Sequence, residues 1–120
     1  MSAVEKNQTG RILIVDDEAS LRKVLKATLK RAGYNIETAK SGTDALAQLA
    51  AAEAQGNNAF DVLVCDIRMP EMNGMTLLEQ VVLTYADLPV IMLTAHGTVD
   101  LAVQALKKGA FDFLSLSLAL

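Results

Sequence analysis

Short apolar runs alternate along this chain with longer stretches in which apolar residues return at helical spacing. Ile12-Leu13-Ile14-Val15, Val62-Leu63-Val64-Cys65 and Val90-Ile91-Met92-Leu93 are continuous rather than alternating, the pattern of parallel strands buried on both faces. Tyr34 to Ala39 and Phe111 to about Leu116 read as two further strands. After the first run, Leu21, Val24, Leu25, Thr28, Leu29 and Ala32 share one helix face, and Gly33 follows as a left-handed cap. Ser41 with Asp44 three residues on forms a capping box opening a second helix through Leu46, Leu49 and Ala50, closed by Gln55-Gly56-Asn57-Asn58. A third helix follows Asn73-Gly74, carries Leu78, Val81, Val82 and Tyr85 on one face, and stops at Asp87-Leu88-Pro89. Thr98 starts a fourth, whose Val99, Ala102, Val103 and Leu106 are expected to face inward, with Lys107-Lys108 in its last turn and Gly109 beyond. Leu101 and Ala105 make a second apolar stripe on that helix, for neighbouring packing or for a partner surface.

The order βαβαβαβαβ, with right-handed crossovers, predicts an α/β fold: a flavodoxin-like, doubly wound, five-stranded parallel sheet in the order 2-1-3-4-5. Ligands of such sheets bind outside the carboxyl ends of the strands. There the first strand ends in Asp16-Asp17-Glu18, the third in Asp66 and the fourth in Thr94. These side chains are expected to converge on one crevice.

Composition narrows the function. The 120 residues make one domain, and an apolar fraction of 52% suits a sheet covered on both faces. A net charge of −3 with 11 basic residues offers no cationic stripe for a phosphate backbone, so direct nucleic-acid contact is not expected. No apolar stretch approaches the roughly 18 residues of a membrane span, the polar start lacks the apolar segment of a signal peptide, and Cys65 has no second cysteine to bridge. A reducing cytoplasm is the expected location. The expected organisation is a polar arm over 1–10, the folded domain over 11–116 and an atypical tail over 117–120.

Two adjacent acids after strand one and a third after strand three can bind a hard divalent cation, with a backbone carbonyl and water completing the near-octahedral shell of Mg²⁺. An incoming phosphoryl group would be neutralised by the cation, and a carboxylate can attack it to form an acyl phosphate. Asp66, alone at its strand end, is the best nucleophile, and the Thr94 hydroxyl can donate to a phosphoryl oxygen.

At these residues the chain, from about Arg11 to Leu116, resembles the receiver domain of a bacterial two-component response regulator. Met69-Pro70-Glu71-Met72-Asn73-Gly74, Leu93-Thr94-Ala95-His96-Gly97 and Lys107-Lys108-Gly109-Ala110-Phe111-Asp112-Phe113-Leu114 look most like receivers of nitrogen-regulation-type activators that work with σ54 polymerase. The resemblance implies phosphorylation of Asp66 by a sensor histidine kinase and a Mg²⁺ site with Asp17, Asp66 and the Arg68 backbone carbonyl as direct ligands. Asp16 would act there mainly through water. It further implies a switch hydroxyl at Thr94, a switch aromatic at Phe113, a signal carried by the face of helix four and strand five, and control of transcription. In a full-length protein of this kind an ATPase and a helix-turn-helix domain would follow.

Two departures stand out. Leu116 and Ser117 occupy the positions of the family's Lys-Pro pair, so a charged hydrogen bond of about 1.5–3 kcal/mol is missing and the peptide between them is expected trans. The family's fifth helix is also absent, since Leu114-Ser115-Leu116-Ser117-Leu118-Ala119-Leu120 alternates as a strand does. An apolar face would then lie open, and dimerisation, segment exchange or aggregation is expected.

Other readings stand beside this one. A pseudo-receiver would keep the fold, lose the phosphate signal through Leu116 and act by dimerisation alone. A haloacid-dehalogenase-type phosphatase needs Asp-x-Asp on the nucleophile strand, and Asp66-Ile67-Arg68 lacks the second acid. A flavodoxin needs hydroxyls and glycines after strand one, where three acids stand. Phe113 reads equally as core packing, Cys65 as a small buried hydrophobe, His96 as an exposed loop residue, and Arg68, Met69 and Glu71 as a solvated loop or an edge of the site.

Overall fold

Continuous apolar strands need cover on both faces, and the chain meets that need with one five-stranded sheet in the order β2-β1-β3-β4-β5, every pair parallel. The computed structural model describes residues 10–56, 59–69, 71–94 and 97–115. The strands are β1 (Arg11–Val15), β2 (Asn35–Ala39), β3 (Val62–Asp66), β4 (Val90–Thr94) and β5 (Asp112–Ser115). The helices between them are α1 (Ala19–Arg31), α2 (Gly42–Ala54), α3 (Gly74–Thr84) and α4 (Val99–Lys107). This is the doubly wound order that alternating strand and helix patterns predict.

The helix starts follow their capping residues. Ser41 Oγ accepts from the Asp44 amide at 3.1 Å, while the Asp44 carboxylate accepts from the Lys40 amide, one residue upstream of the usual reciprocal bond. Asn73 Oδ1 caps α3 through the Thr76 amide and Thr98 Oγ1 caps α4 through the Leu101 amide. β2 begins at Asn35 rather than Tyr34, because the Tyr34 amide still donates to Leu29 O and closes α1. Gly33 ends that helix at φ 106°, where a side chain would be strained.

The two sheet faces differ. On one, α2, α3 and α4 enclose the main core, with Leu13, Leu63, Leu77, Leu78, Val81 and Met92 fully buried. On the other, among the described residues only α1 packs against the sheet, with Leu25 and Leu29 over Ile12, Ile14 and Ile36. No residue of α1 is fully buried, Val24 is exposed, Val62 and Val64 are half-covered, and Leu114 stands out on β5. Four helices occur among the described residues. Leu116 and Ser117 lie outside the described residues.

One sequence expectation is overturned. Val99, Val103 and Leu106 point outward, at 79%, 42% and 50% exposure, and the residue that α4 buries is Ala105. Both stripes of this helix are apolar, so periodicity alone could not choose between them. The small side chain at 105 lets the helix lie close to the sheet, and at its end Gly109 approaches Val82 so nearly that a Cβ there would come within 2.8 Å of that side chain.

Candidate functional site

Val15 pairs with Cys65 across the two central strands, so the residues after them, Asp16 and Asp66, leave the sheet side by side. Asp16 is tightly held. Its amide donates to Ala39 O at 3.1 Å, its Oδ1 accepts from the Glu18 amide at 2.7 Å, and its carbonyl accepts from the Arg22 guanidinium at 2.7 Å. Asp66 Oδ1 accepts a longer bond, 3.4 Å, from the Arg68 amide. The loop after Asp66 is pressed back against the strand end: Gly74 N donates to Ile67 O at 2.7 Å, and a Cβ on Gly74 would lie 2.2 Å from Asp66 O. Only glycine fits there.

One carboxylate oxygen from each of Asp16, Asp17 and Asp66 lies within 4.8 Å of the others. Asp16 is buried, Asp66 half-buried and Asp17 exposed. Burial raises the Asp16 pKa to about 6, against the lowering effect of the Glu18 amide and with help from the charges of Asp66, Asp17 and Glu18. Asp66 is raised for the same leading reason, desolvation, partly opposed by the Arg68 amide and reinforced by Asp17. Asp16 Oδ2 is buried with no hydrogen-bond partner among the described residues. An orphaned buried carboxylate oxygen beside two more carboxylates fits a hard, oxygen-seeking cation.

Thr94 ends β4, buried, opposite Ser115, and Phe113 stands opposite Met92 on β5, half-buried against the core. The two meet at Gly97, where a Cβ would lie 3.0 Å from both the Phe113 ring and the Thr94 methyl. An open cavity of about 560 Å³, walled by Asp17, Arg68, Met69, Met75 and Leu101, lies beside the acids. Cys65 is buried in the core, where burial pushes its thiol pKa up, as suits a small hydrophobe rather than a nucleophile. His96 and Pro70 lie outside the described residues.

Arg22 escaped the sequence reading, and Gly97 entered it only within the Leu93-Thr94-Ala95-His96-Gly97 stretch, with no role of its own. Arg22 sits among the lysines of a solvated helix, and only its place one turn after the acids hinted at more.

The profile of the response regulator receiver domain matches residues 12–118. The chain belongs to this family. It is 44% identical over 107 residues to the DNA-binding transcriptional regulator NtrC of Salmonella typhimurium, covering 89% of this chain and 22% of that protein. To the transcriptional regulatory protein ZraR of the same organism it is 42% identical over 103 residues, covering 86% of this chain and 22% of that protein. The chain thus spans about a fifth of the length of these relatives. Among solved structures, the chemotaxis response regulator CheY4 of Vibrio cholerae superposes with a TM-score of 0.77 at 34% identity, over 90% of this chain and 87% of that one. A structure of the CheX-CheY-BeF3-Mg²⁺ complex from Borrelia burgdorferi gives a TM-score of 0.81 at 32% identity, over 88% of this chain and 77% of that one. The receiver fold and the acids at its carboxyl edge are therefore those of a two-component signalling domain, similar to the receivers of nitrogen-regulation-type activators. Among the described residues no helix is long and apolar enough to cross a membrane.

A raised carboxylate pKa means that the folded receiver binds its site proton more tightly than the unfolded chain does. Asp16 therefore costs stability as pH rises from about 4 through about 6 in the absence of a cation. Metal-free wild type should lose thermal stability relative to Asp16→Asn across that window, and Mg²⁺ should restore it at pH 7.5 but hardly at pH 5. Melting curves of both proteins, with and without Mg²⁺, check this; a constant difference across pH would contradict it.

Proposed function

We propose that this receiver domain takes a phosphoryl group from a sensor histidine kinase onto Asp66 in a Mg²⁺-dependent reaction. The observation that carries the reading is the meeting of Asp66 with Asp16 and Asp17 at the carboxyl edge of the central strands. Asp17, Asp66 and the Arg68 carbonyl would hold the ion directly and Asp16 mainly through water. When bound, the ion neutralises the carboxylates and the phosphoryl oxygens.

The chain's own residues do the rest. An Asp66 oxygen attacks phosphorus in line, the P–N bond of the phosphohistidine breaks, and its electron pair leaves with the imidazole. The Arg68 amide at Asp66 Oδ1 orients the attacking carboxylate. The Thr94 hydroxyl donates to a phosphoryl oxygen of the product and Phe113 follows its movement, since both pack on Gly97. The signal then reaches the α4–β5 face, where Val99, Val103 and Leu106 lie exposed. The domain is thus a signalling module rather than an enzyme with a separate substrate.

The transcriptional regulators it resembles support control of transcription as the outcome, through a DNA-binding part of a longer protein. An ATPase domain in the full-length protein and the cytoplasm as the place of action belong to the same proposal. The receiver itself is assigned to 11–116, between a polar arm over 1–10 and a tail over 117–120. The half-covered sheet face around Val62, Val64 and Leu114 supports a homodimer of this chain. Light scattering on the purified protein should show a dimer at high concentration, and a clean monomer would remove that part of the reading.

Intact-mass measurement after incubation with Mg²⁺ and acetyl phosphate should show one phosphoryl adduct, lost in Asp66→Asn. Leu116 favours a second reading, a receiver disabled at its lysine position and kept as an interaction module. No adduct in wild type that still binds Mg²⁺ would establish that reading instead.

A further inference from the structure

Asp17 is the metal ligand that the structure holds least. It is exposed, lies between the end of β1 and the cap of α1, and its carboxylate has no hydrogen-bond partner among the described residues. Its direction is set by the peptide that joins it to Asp16. That peptide is gripped at its carbonyl by the Arg22 guanidinium at 2.7 Å, in partly buried surroundings. Arg22 is itself seated in the first turn of α1, its amide donating to Glu18 O at 3.1 Å. The chain therefore runs from helix to guanidinium to peptide plane to ligand.

We propose that Arg22 is a positioning residue for the metal site, holding the Asp16–Asp17 peptide so that the Asp17 carboxylate faces Asp16 and Asp66 before a cation arrives. The proposal rests on the Mg²⁺ reading above. The choice of acceptor distinguishes it from a simple charge effect, because the guanidinium bonds to the main-chain carbonyl of Asp16 rather than to a carboxylate among the described residues. Two accounts of Arg22 then differ in sign. If the residue acted only by its charge, removing it would tighten the binding of a second cation nearby. If it positions Asp17, removing it weakens that binding, and partners one shell out from a metal change affinity by about 10–100-fold.

Titration calorimetry with Mg²⁺ on the whole chain decides between them. Arg22→Met keeps the aliphatic stem and the helix propensity but deletes the donor, and Arg22→Lys restores a cationic donor of similar reach. Affinity should fall about tenfold in Arg22→Met and recover most of that loss in Arg22→Lys, with circular dichroism showing an unchanged fold in both. Unchanged or tighter binding in folded Arg22→Met overturns the proposal. Should Arg22→Met fail to fold, Arg22→Gln is measured by the same rule, since it keeps polarity but is too short to reach the carbonyl. Asp17→Asn separates the two levels: if it abolishes Mg²⁺ binding while the Arg22 variants bind as wild type does, only the Arg22 inference falls. If wild type itself binds no Mg²⁺, the reading beneath falls with it.

Discussion

Three carboxylates crowd the edge of a buried sheet, two of them, Asp16 and Asp66, taken partly out of water, and that unfavourable arrangement is the constraint around which this receiver is built. Burial raises both Asp16 and Asp66, and the charges of Asp17 and Glu18 raise each of them further. Main-chain amides of Glu18 and Arg68 offset part of the cost, yet Asp16 Oδ2 remains buried without a partner among the described residues. On the proposed reading a divalent cation would complete the set, and the free energy the fold loses by crowding acids would then be available to bind an ion and, through it, a phosphoryl group.

The architecture around the acids keeps them from spreading apart. Parallel pairing of β1 and β3 fixes Asp16 and Asp66 on neighbouring strand ends, the tie from Asp16 N to Ala39 O anchors the first of them to β2, and Arg22 restrains the peptide that leads to Asp17. Gly74 lets the next loop fold back hard against Asp66, where any side chain would collide with the main chain. Gly97 serves the other side of the crevice, letting the ends of β4 and β5 meet through Thr94 and Phe113. Rigid support lies on the three-helix face, whereas the face under α1 is only partly covered.

Much of this was legible in the residues, for identifiable reasons. Uninterrupted apolar strands gave the parallel sheet and its order, because such strands tolerate no polar face. The caps at Ser41, Asn73 and Thr98 gave the helix starts, because each has a side-chain oxygen placed to meet an amide three residues on. The strand-end acids pointed to the crevice they now share. What stayed hidden depends on which of two equal choices packing makes. Helix α4 carries apolar residues on two sides, and only the room above the sheet decides that Ala105 goes in while Val99, Val103 and Leu106 stay out. Arg22 looked like one more helix cation, since nothing in its neighbours reveals that its guanidinium folds back to Asp16. Gly97 carries no side chain to signal what rests against it.

Because burial raises Asp16 and Asp66, the metal-free folded site should hold a proton near pH 6 that a cation must displace. Calorimetric titration of Mg²⁺ at pH 6, repeated in buffers of different ionisation enthalpy, counts the protons released on binding. With Asp16 titrating near 6 and Asp66 raised as well, binding should release a substantial fraction of a proton at pH 6 and almost none at pH 8. Binding at pH 6 without proton release would mean that Asp16 and Asp66 are already ionised there, and would contradict the crowded, partly buried acidic site.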